Sequence, residues 1–221
     1  ELFVYLYIHR HRFCSKEEIM DALFPSSTED VAVRDFKVAY NALLNVLEPE
    51  RNAREESFYI ERKTGMYRIR SAPYIVSDVH YFEQLISLAN KQDCPILRKQ
   101  WLLKAIQQYT GNLYEENSHI EWLHQERQRY KTLYLKAVEQ LAQLLFEEQQ
   151  YEQCIQYCEM ILSKESTWEE AYRLIMWCYF YLENKVAVQK TYERCEQVLL
   201  QQYDMEPMQS TTEIFEKLIK I

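Results

Sequence analysis

The sequence contains very little glycine. Its 221 residues include only Gly65 and Gly111, where an average usage of about 7% would supply roughly fifteen. Phosphate-binding loops and dinucleotide fingerprints need glycines a few residues apart, and these two are 46 positions apart. All-β sandwiches, barrels and propellers need glycine and other turn residues at many sharp turns. The scarcity excludes the glycine-rich nucleotide motifs and predicts a mainly α-helical chain.

Long apolar runs and cysteines are also scarce. The longest apolar run, Leu174–Leu182, has nine residues, far fewer than the roughly 20 that span a bilayer. Six scattered cysteines without a preceding signal peptide are too few for a disulfide scaffold. We therefore expect a reducing cytoplasm and no membrane partner. Because the chain opens at Glu1 inside an apolar helical pattern, we interpret it as a piece of a longer protein.

The charge is unevenly distributed along the chain. Residues 1–71 contain 11 Lys and Arg against 12 Asp and Glu, whereas residues 72–221 contain 15 against 22, a net charge of −7. An acidic region does not bind nucleic acid through bulk electrostatics. If any part of the chain binds a phosphate backbone, it is the first third.

That first third predicts three helices and a β-hairpin. A helix over 2–9 precedes a second helix, which Ser15 caps and Glu18 completes as a capping box. The period then changes to two around Lys63-Thr64-Gly65, which predicts a hairpin and the only convincing β structure of the chain. Between the second helix and the hairpin, a third helix carries apolar residues at spacings of three to four: Ala32, Phe36, Tyr40, Leu43 and Leu47.

The rest of the chain predicts helices only. They cover approximately 78–91, 95–109, 119–149, 151–164, 167–182, 185–203 and 211–220. Positions 34 residues apart resemble each other, as Val138 and Tyr172 or Cys154 and Val188 do. This period is typical of tetratricopeptide helix hairpins. The predicted junction is Ser71-Ala72-Pro73, which separates domains at 1–71 and 77–221.

Three helices followed by a basic hairpin is the order of a winged helix, whose third helix reads the major groove and whose hairpin is the wing. Residues 32–49 resemble the recognition helix of response-regulator-type winged helices. The segment Gly65-Met-Tyr-Arg-Ile69 resembles their wing motif. The small N-terminal sheet with which such domains begin is missing from this sequence.

Five short motifs follow one another in the C-terminal part: Val79-His-Tyr-Phe82, Tyr109-Thr-Gly-Asn-Leu113, Glu121-Trp-Leu-His-Gln-Glu-Arg127, Trp168-Glu-Glu-Ala-Tyr-Arg-Leu-Ile-Met176 and Asp204-Met-Glu-Pro207. Their order and spacing resemble the bacterial transcriptional activator domain of SARP-type antibiotic regulatory proteins. The resemblance covers essentially the whole chain. It implies a bacterial cytoplasmic activator that binds duplex promoter DNA and RNA polymerase. A homodimer and an unidentified effector are left open.

The third helix supplies the candidate base-reading residues. With the apolar stripe turned inward, the opposite face carries Arg34, Lys37, Val38, Asn41 and Asn45. Arginine and lysine can pair with guanine edges or phosphates, and asparagine can pair with adenine. The alternative is an ordinary solvated helix face.

The wing supplies the candidate phosphate contacts. Arg62, Lys63, Arg68 and Arg70 lie in the predicted hairpin. A cationic hairpin beside a groove-reading helix suits contact with phosphates or the minor groove. The alternative is a sheet edge that charge protects from unwanted pairing.

The helix over 167–182 carries a candidate groove for a partner or effector. Its residues are Arg173, Trp177, Phe180 and Tyr181, and an aromatic patch with one arginine can hold a peptide, a nucleotide or a partner subunit. The alternative is that the last helix covers the patch with Ile214, Phe215, Leu218 and Ile219. We expect an open groove, because Arg173 is poorly placed under an apolar helix.

Neither a metal site nor an active site is predicted. Cys154 and Cys158 are one helical turn apart, but no second ligand pair exists at zinc spacing, so we interpret both as core residues. His119 and His124 are five positions apart and diverge around a helix, which favours surface or capping roles. Carboxylates interleaved with lysine and arginine are typical of solvated faces. We predict no enzyme and no cofactor.

The sequence therefore predicts a mainly α protein, a winged helix followed by an all-α tetratricopeptide-like domain, that regulates transcription. The competing hypothesis is a protein-interaction or effector-sensing module whose winged helix no longer binds DNA. Two features favour this alternative: the near-neutral first domain, and Leu44 at a position where the family often carries arginine.

Overall fold

The computed structural model of the protein describes residues 1–52, 55–70, 75, 77–117 and 120–220. The chain forms two compact units, Glu1–Val76 (the N-terminal unit) and Ser77–Ile221 (the C-terminal unit). The predicted junction at Ser71-Ala72-Pro73 lies outside the described residues. The predicted fold class, mainly α with a winged helix followed by a tetratricopeptide-like domain, is confirmed.

The N-terminal unit combines three helices with a small antiparallel sheet. The helices are α1 (Leu2–Ile8), α2 (Lys16–Leu23) and α3 (Glu29–Leu47), and the strands are β1 (Cys14–Ser15), β2 (Ile60–Lys63) and β3 (Met66–Ile69). The sheet order is β1-β3-β2, with Cys14 opposite Tyr67 and Ile60 opposite Ile69. We expected a connection where β1 lies, because two residues are too few to show a strand's alternation.

The start of α2 follows the predicted capping box. Ser15 Oγ accepts a hydrogen bond from the backbone N–H of Glu18 at 3.1 Å. The Glu18 carboxylate in turn pairs with Arg12 and accepts a hydrogen bond from the Tyr5 hydroxyl at 3.1 Å. The hydrogen bond from Arg12, followed by those from Tyr5 and the Ser15 backbone, lowers the pKa of Glu18 to about 2. One carboxylate thus joins α1, α2 and the segment between them.

We expect Glu18→Gln to destabilise the N-terminal unit at neutral pH and to have little effect near pH 2. Because the pKa of Glu18 is lowered in the folded state, its contribution is complete above the ordinary value of 4.5 and is lost as pH falls toward 2. Denaturant unfolding at several pH values measures this. Glu17→Gln, at an exposed position of the same helix, is the control. Equal pH profiles for the two variants would contradict the role of Glu18.

The hairpin turn uses one of the two glycines. Thr64 has φ 49° and Gly65 has φ 78°, the pair of positive values that defines a type I′ turn. This turn matches the twist of the two flanking strands and joins them through two residues. It fixes the register in which Arg62 faces Tyr67 and Glu61 faces Arg68.

Helix α3 packs with Ala32, Phe36 and Leu44 buried, at exposures of 6%, 2% and 4%. Other residues of the predicted stripe, among them Tyr40 and Leu43, are half-buried. Leu44 is therefore a core residue. A side chain that is buried in this way does not mark a lost DNA contact on the exposed face.

The C-terminal unit consists of seven α-helices within its described residues: α4 (Asp78–Asn90), α5 (Pro95–Gln108), α6 (His124–Glu147), α7 (Tyr151–Lys164), α8 (Glu169–Tyr181), α9 (Lys185–Tyr203) and α10 (Gln209–Lys220). The helix predicted over 119–149 begins later, at His124. A 3-10 turn, Glu121–Leu123, precedes it, and His119 lies outside the described residues. A segment of three residues is too short to distinguish the 3.0-residue period of a 3-10 helix from the 3.6-residue period of an α-helix. The predicted helix therefore started too early.

The 34-residue repeat appears as two stacked helix hairpins, α6 with α7 and α8 with α9. Helix α6 also contacts α8, as first helices of adjacent repeats do. Gln149 and Glu183, 34 residues apart, both adopt left-handed backbone, with φ 61° and φ 57°. The following residues, Gln150 and Asn184, each donate a 2.8 Å hydrogen bond to a carbonyl five residues earlier. The two turns thus close identically without glycine.

Helix α10 ends the C-terminal unit and packs against α8 and α9. Its Leu218 is fully buried together with Met176 and Val188. The Tyr192 and Phe215 rings stack with centroids 4.1 Å apart. This small core is separate from the large core formed by α4 to α9, so α10 closes the open end of the repeat.

Candidate DNA interface and helical groove

The exposed face of α3 carries every residue predicted to read bases. These residues are Arg34, Lys37, Val38, Asn41 and Asn45, and all five are exposed. Val38 is 64% exposed, a large value for an apolar side chain. Val46, 79% exposed and eight residues beyond Val38, extends the face by two turns. The predicted set does not include Val46, although its spacing of eight residues from Val38 places it on this face.

Aromatic packing fixes the wing next to α3. Tyr67 of β3 is buried, and its ring lies 5.1 Å from that of Phe36 and 5.2 Å from that of Tyr40. Arg62, opposite Tyr67 on β2, holds its guanidinium carbon 5.7 Å from the centroid of the Tyr67 ring. At least one wing cation is therefore held beside α3.

A carboxylate at the end of α3 holds the start of the wing. Glu48 Oε1 accepts hydrogen bonds from Ser57 Oγ at 2.7 Å and from the Tyr59 backbone N–H at 2.9 Å. Ser57 Oγ accepts one from the Ile60 backbone N–H at 2.9 Å. The wing thus starts from a fixed point at the C-terminus of α3.

The wing cations differ in their availability. Arg62 and Lys63 are exposed at the hairpin tip. Arg68 instead pairs with Glu61 at 2.6 Å and lies 4.3 Å from the Phe13 ring centroid. The hydrogen bond from Arg68 lowers the pKa of Glu61, so this pair is charged at neutral pH. Arg68 therefore braces β2 and the segment before β1.

The predicted groove on α8 is largely covered by α10. Arg173 donates a 2.8 Å hydrogen bond to Thr211 Oγ1 and pairs with Glu170 at 2.6 Å. The open groove expected around Arg173 is therefore not what the structure shows. The cation lies under α10 because a hydroxyl and a carboxylate satisfy it there.

Glu169 completes this contact from the buried side. It is 5% exposed and accepts hydrogen bonds from Thr211 Oγ1 at 2.6 Å and from the Met208 backbone N–H at 2.9 Å. The Thr211 side chain thus connects Glu169 and Arg173 on α8 to the first turn of α10. The sequence pattern did not indicate this contact, because Thr211 is about 40 residues away from Glu169 and Arg173.

Two more groove residues pack against α10, and the last stays exposed. Trp177 and Phe180 are half-buried against the Met176 and Leu218 core. Tyr181 is 51% exposed and stacks on Tyr151, with ring centroids 5.3 Å apart and planes within 4°.

Comparison with known families assigns the C-terminal unit. The family described as "Bacterial transcriptional activator domain" matches residues 77–219. The chain belongs to this family. The match covers α4 to α10 almost completely, so we call the C-terminal unit (Ser77–Ile221) the BTAD unit, after the initials of the family name. No curated protein sequence matches the chain significantly.

Among solved structures, the chain is similar to EmbR of Mycobacterium tuberculosis, determined in complex with a low-affinity phosphopeptide. The TM-score is 0.78 at 11% identity, and the match covers 99% of this chain. The chain spans 58% of the length of that EmbR chain. This likeness concerns the fold.

The cysteines of the BTAD unit belong mainly to its core. Cys154 and Cys158 are fully buried in α7, and Cys178 of α8 is buried with them. In the part of the chain that the structure describes, no three His, Cys, Asp or Glu side chains form a metal-binding group. Within the same residues, no helix has the length and hydropathy to cross a membrane.

Proposed function

We propose that the protein activates transcription in the bacterial cytoplasm by binding promoter DNA through its N-terminal unit. The observation that carries the proposal is the division of α3: Phe36 and Leu44 face the core, while a polar and cationic face is exposed. The wing is anchored beside that helix by Tyr67. This is the arrangement in which a winged helix places one helix in the major groove.

Each exposed residue has a proposed role. Arg34 and Lys37 contact guanine edges or nearby phosphates, and Asn41 and Asn45 pair with adenine. Val38 packs against a thymine methyl group. Arg62 and Lys63 bind phosphates, and Arg68 positions the wing because Glu61 and Phe13 already hold its guanidinium.

The BTAD unit has the complementary role. Its net charge of −7 opposes phosphate contact, so we propose that it transmits the signal through RNA polymerase, an effector or a second copy of the chain. The exposed Tyr181 and its neighbour Tyr151 are the proposed partner contact of this unit.

The near-neutral charge of residues 1–71 favours one competing function, a protein-interaction module without DNA binding. Binding of the chain to duplex fragments of its own genome, measured at several salt concentrations, separates the two functions. We expect log K to fall with log salt by about 0.9 for each phosphate contacted, with a handful of contacts.

A matched pair of double variants locates the contacts. Replacing Arg62 and Lys63 by alanine should flatten the salt dependence by about two contacts. Replacing Lys185 and Lys190, exposed on α9, should leave it unchanged. Absence of duplex binding at low salt, or an equal loss in both double variants, supports the interaction module instead.

A further inference from the structure

A cavity of about 350 Å³ opens in the BTAD unit where the end of α5, the start of α6 and the end of α7 meet. Its volume lies within the range of small-molecule sites, about 300–1,000 Å³. Of the described residues that line it, three are cations and none is a carboxylate, although the unit as a whole is acidic. The lining includes Tyr109, Asn112, His124, Arg127, Lys131 and Lys164.

Lys164 gives the cavity a charge that no carboxylate balances. Its side chain is exposed, and its Nζ lies 5.9 Å from the ring centroid of Tyr109 and 5.6 Å from that of Tyr134. Among the described residues it forms no ion pair. Lys131 pairs with Glu165 at 2.9 Å, but Glu165 also accepts a hydrogen bond from Thr167 at 2.8 Å. An anion in the cavity can therefore share Lys131 without leaving Glu165 unsatisfied.

Arg127 holds another part of the cavity lining in shape. Its guanidinium donates to the backbone carbonyls of Leu113 at 3.0 Å, Asn117 at 2.6 Å and Ile120 at 3.2 Å. The connection between α5 and α6 is thereby tied to α6. A preformed wall lowers the ordering cost of binding a small ligand.

The remaining polar groups of the cavity suit an anion. Tyr109 donates from its hydroxyl to Asn112 Oδ1 at 3.3 Å, which turns the Asn112 amide group toward Glu115 at 3.4 Å. An incoming anion can take that amide N–H from Glu115. His124, the first residue of α6, also lines the cavity.

We propose that this cavity binds a phosphate group, either as the free ion or as the monoester of a small molecule. Lys164 and Lys131 pair with the phosphate oxygens, since lysine binds phosphate as a point charge. Tyr109 provides a wall for the organic part. A phosphate is favoured over a single carboxylate because it offers three terminal oxygens to Lys164 and Lys131. The role of such a molecule as an effector of transcription rests on the proposed function, but the binding itself does not.

The test uses the full chain without DNA. Calorimetric titrations with inorganic phosphate, AMP and adenosine are run at one ionic strength that potassium chloride adjusts. We expect AMP and inorganic phosphate to bind and adenosine not to bind. Tighter binding of AMP identifies an organic phosphate as the source, and equal binding identifies the free ion; both support recognition of phosphate. No binding of either phosphate, or adenosine binding as tightly as AMP, overturns the proposal.

A charge-matched pair of variants places the binding in this cavity. Lys164→Gln should weaken binding of AMP at least tenfold, whereas Lys190→Gln, the same change at an exposed position of α9, should not alter it. Circular dichroism verifies folding, and if Lys164→Gln unfolds, Lys164→Arg, which keeps the charge, should retain binding. Equal affinities of Lys164→Gln and Lys190→Gln overturn the assignment. Because DNA is absent, failure of promoter binding does not affect this result.

Discussion

Trp177→Ala is expected to lower the free energy of unfolding of the BTAD unit by about 3 kcal/mol, the low end of the range for buried aromatic residues because the ring is only half-buried. The indole packs against the small core of Met176 and Leu218, and Lys217 Nζ lies 5.5 Å from its ring centroid. Removing the ring leaves a cavity between α8 and α10. Denaturant unfolding followed by far-ultraviolet circular dichroism measures the loss.

Tyr181→Ala is the matched control, one helical turn beyond Trp177. Tyr181 is 51% exposed, and the nearest of its ring neighbours is Tyr151, so the expected loss is about 1 kcal/mol. If both variants lose stability equally, or if Trp177→Ala unfolds like the unchanged protein, α10 does not cover the face of α8 that carries Trp177. Promoter activation then separates the roles: Tyr181→Ala should reduce activation while leaving the fold intact, if Tyr181 contacts a partner.

Local sequence signals predicted much of this fold. The Ser15 cap, the turn at Thr64 and Gly65, and the 34-residue repeat each depend on neighbours within a few residues or on a fixed period. Such features follow from hydrogen bonding and helical geometry that the chain carries locally. The two left-handed turns at Gln149 and Glu183 show the limit, because side chains other than glycine occupy positions where glycine is the usual signal.

Contacts between distant parts of the chain could not be predicted in the same way. Leu43 and Leu44 are adjacent and both apolar, so a spacing of three to four does not decide which faces the core. Packing against the rest of the unit buries Leu44. Arg173 indicated an open groove because the sequence does not show that Thr211, 38 positions away, lies within hydrogen-bonding distance.

The candidate DNA-binding residues show the same difference between local signals and contacts of distant residues. Exposure of Arg34, Lys37, Val38, Asn41 and Asn45 follows from helical periodicity once the buried side of α3 is known. The engagement of Arg68 cannot be derived from periodicity. Its pairing with Glu61 depends on the register of the hairpin, and its contact with Phe13 depends on the fold of the segment before β1. The site thus contains residues that periodicity identifies and one whose role only the packing defines.

Lys37→Ala and Lys63→Ala are expected to affect DNA binding in different ways, although both remove one exposed lysine from the N-terminal unit. Lys37 lies on the face of α3 that would enter the major groove, so its loss should relax the preference for a base pair by about 1–3 kcal/mol. Lys63 lies at the tip of the wing. Its loss should weaken binding to all sequences about equally and reduce the salt dependence by about one contact.

Binding selections from a randomised duplex library, followed by affinity measurements on the best and a scrambled sequence, distinguish the two effects. Arg34→Ala should behave like Lys37→Ala, because its exposed pairing with Asp35 at 3.0 Å contributes little stability. Lys190→Ala on α9 is the control for charge alone. If Lys37→Ala and Lys63→Ala lower both affinities by the same factor, α3 contacts the phosphate backbone of the DNA but does not read bases. Sequence preference would then have to arise from DNA shape.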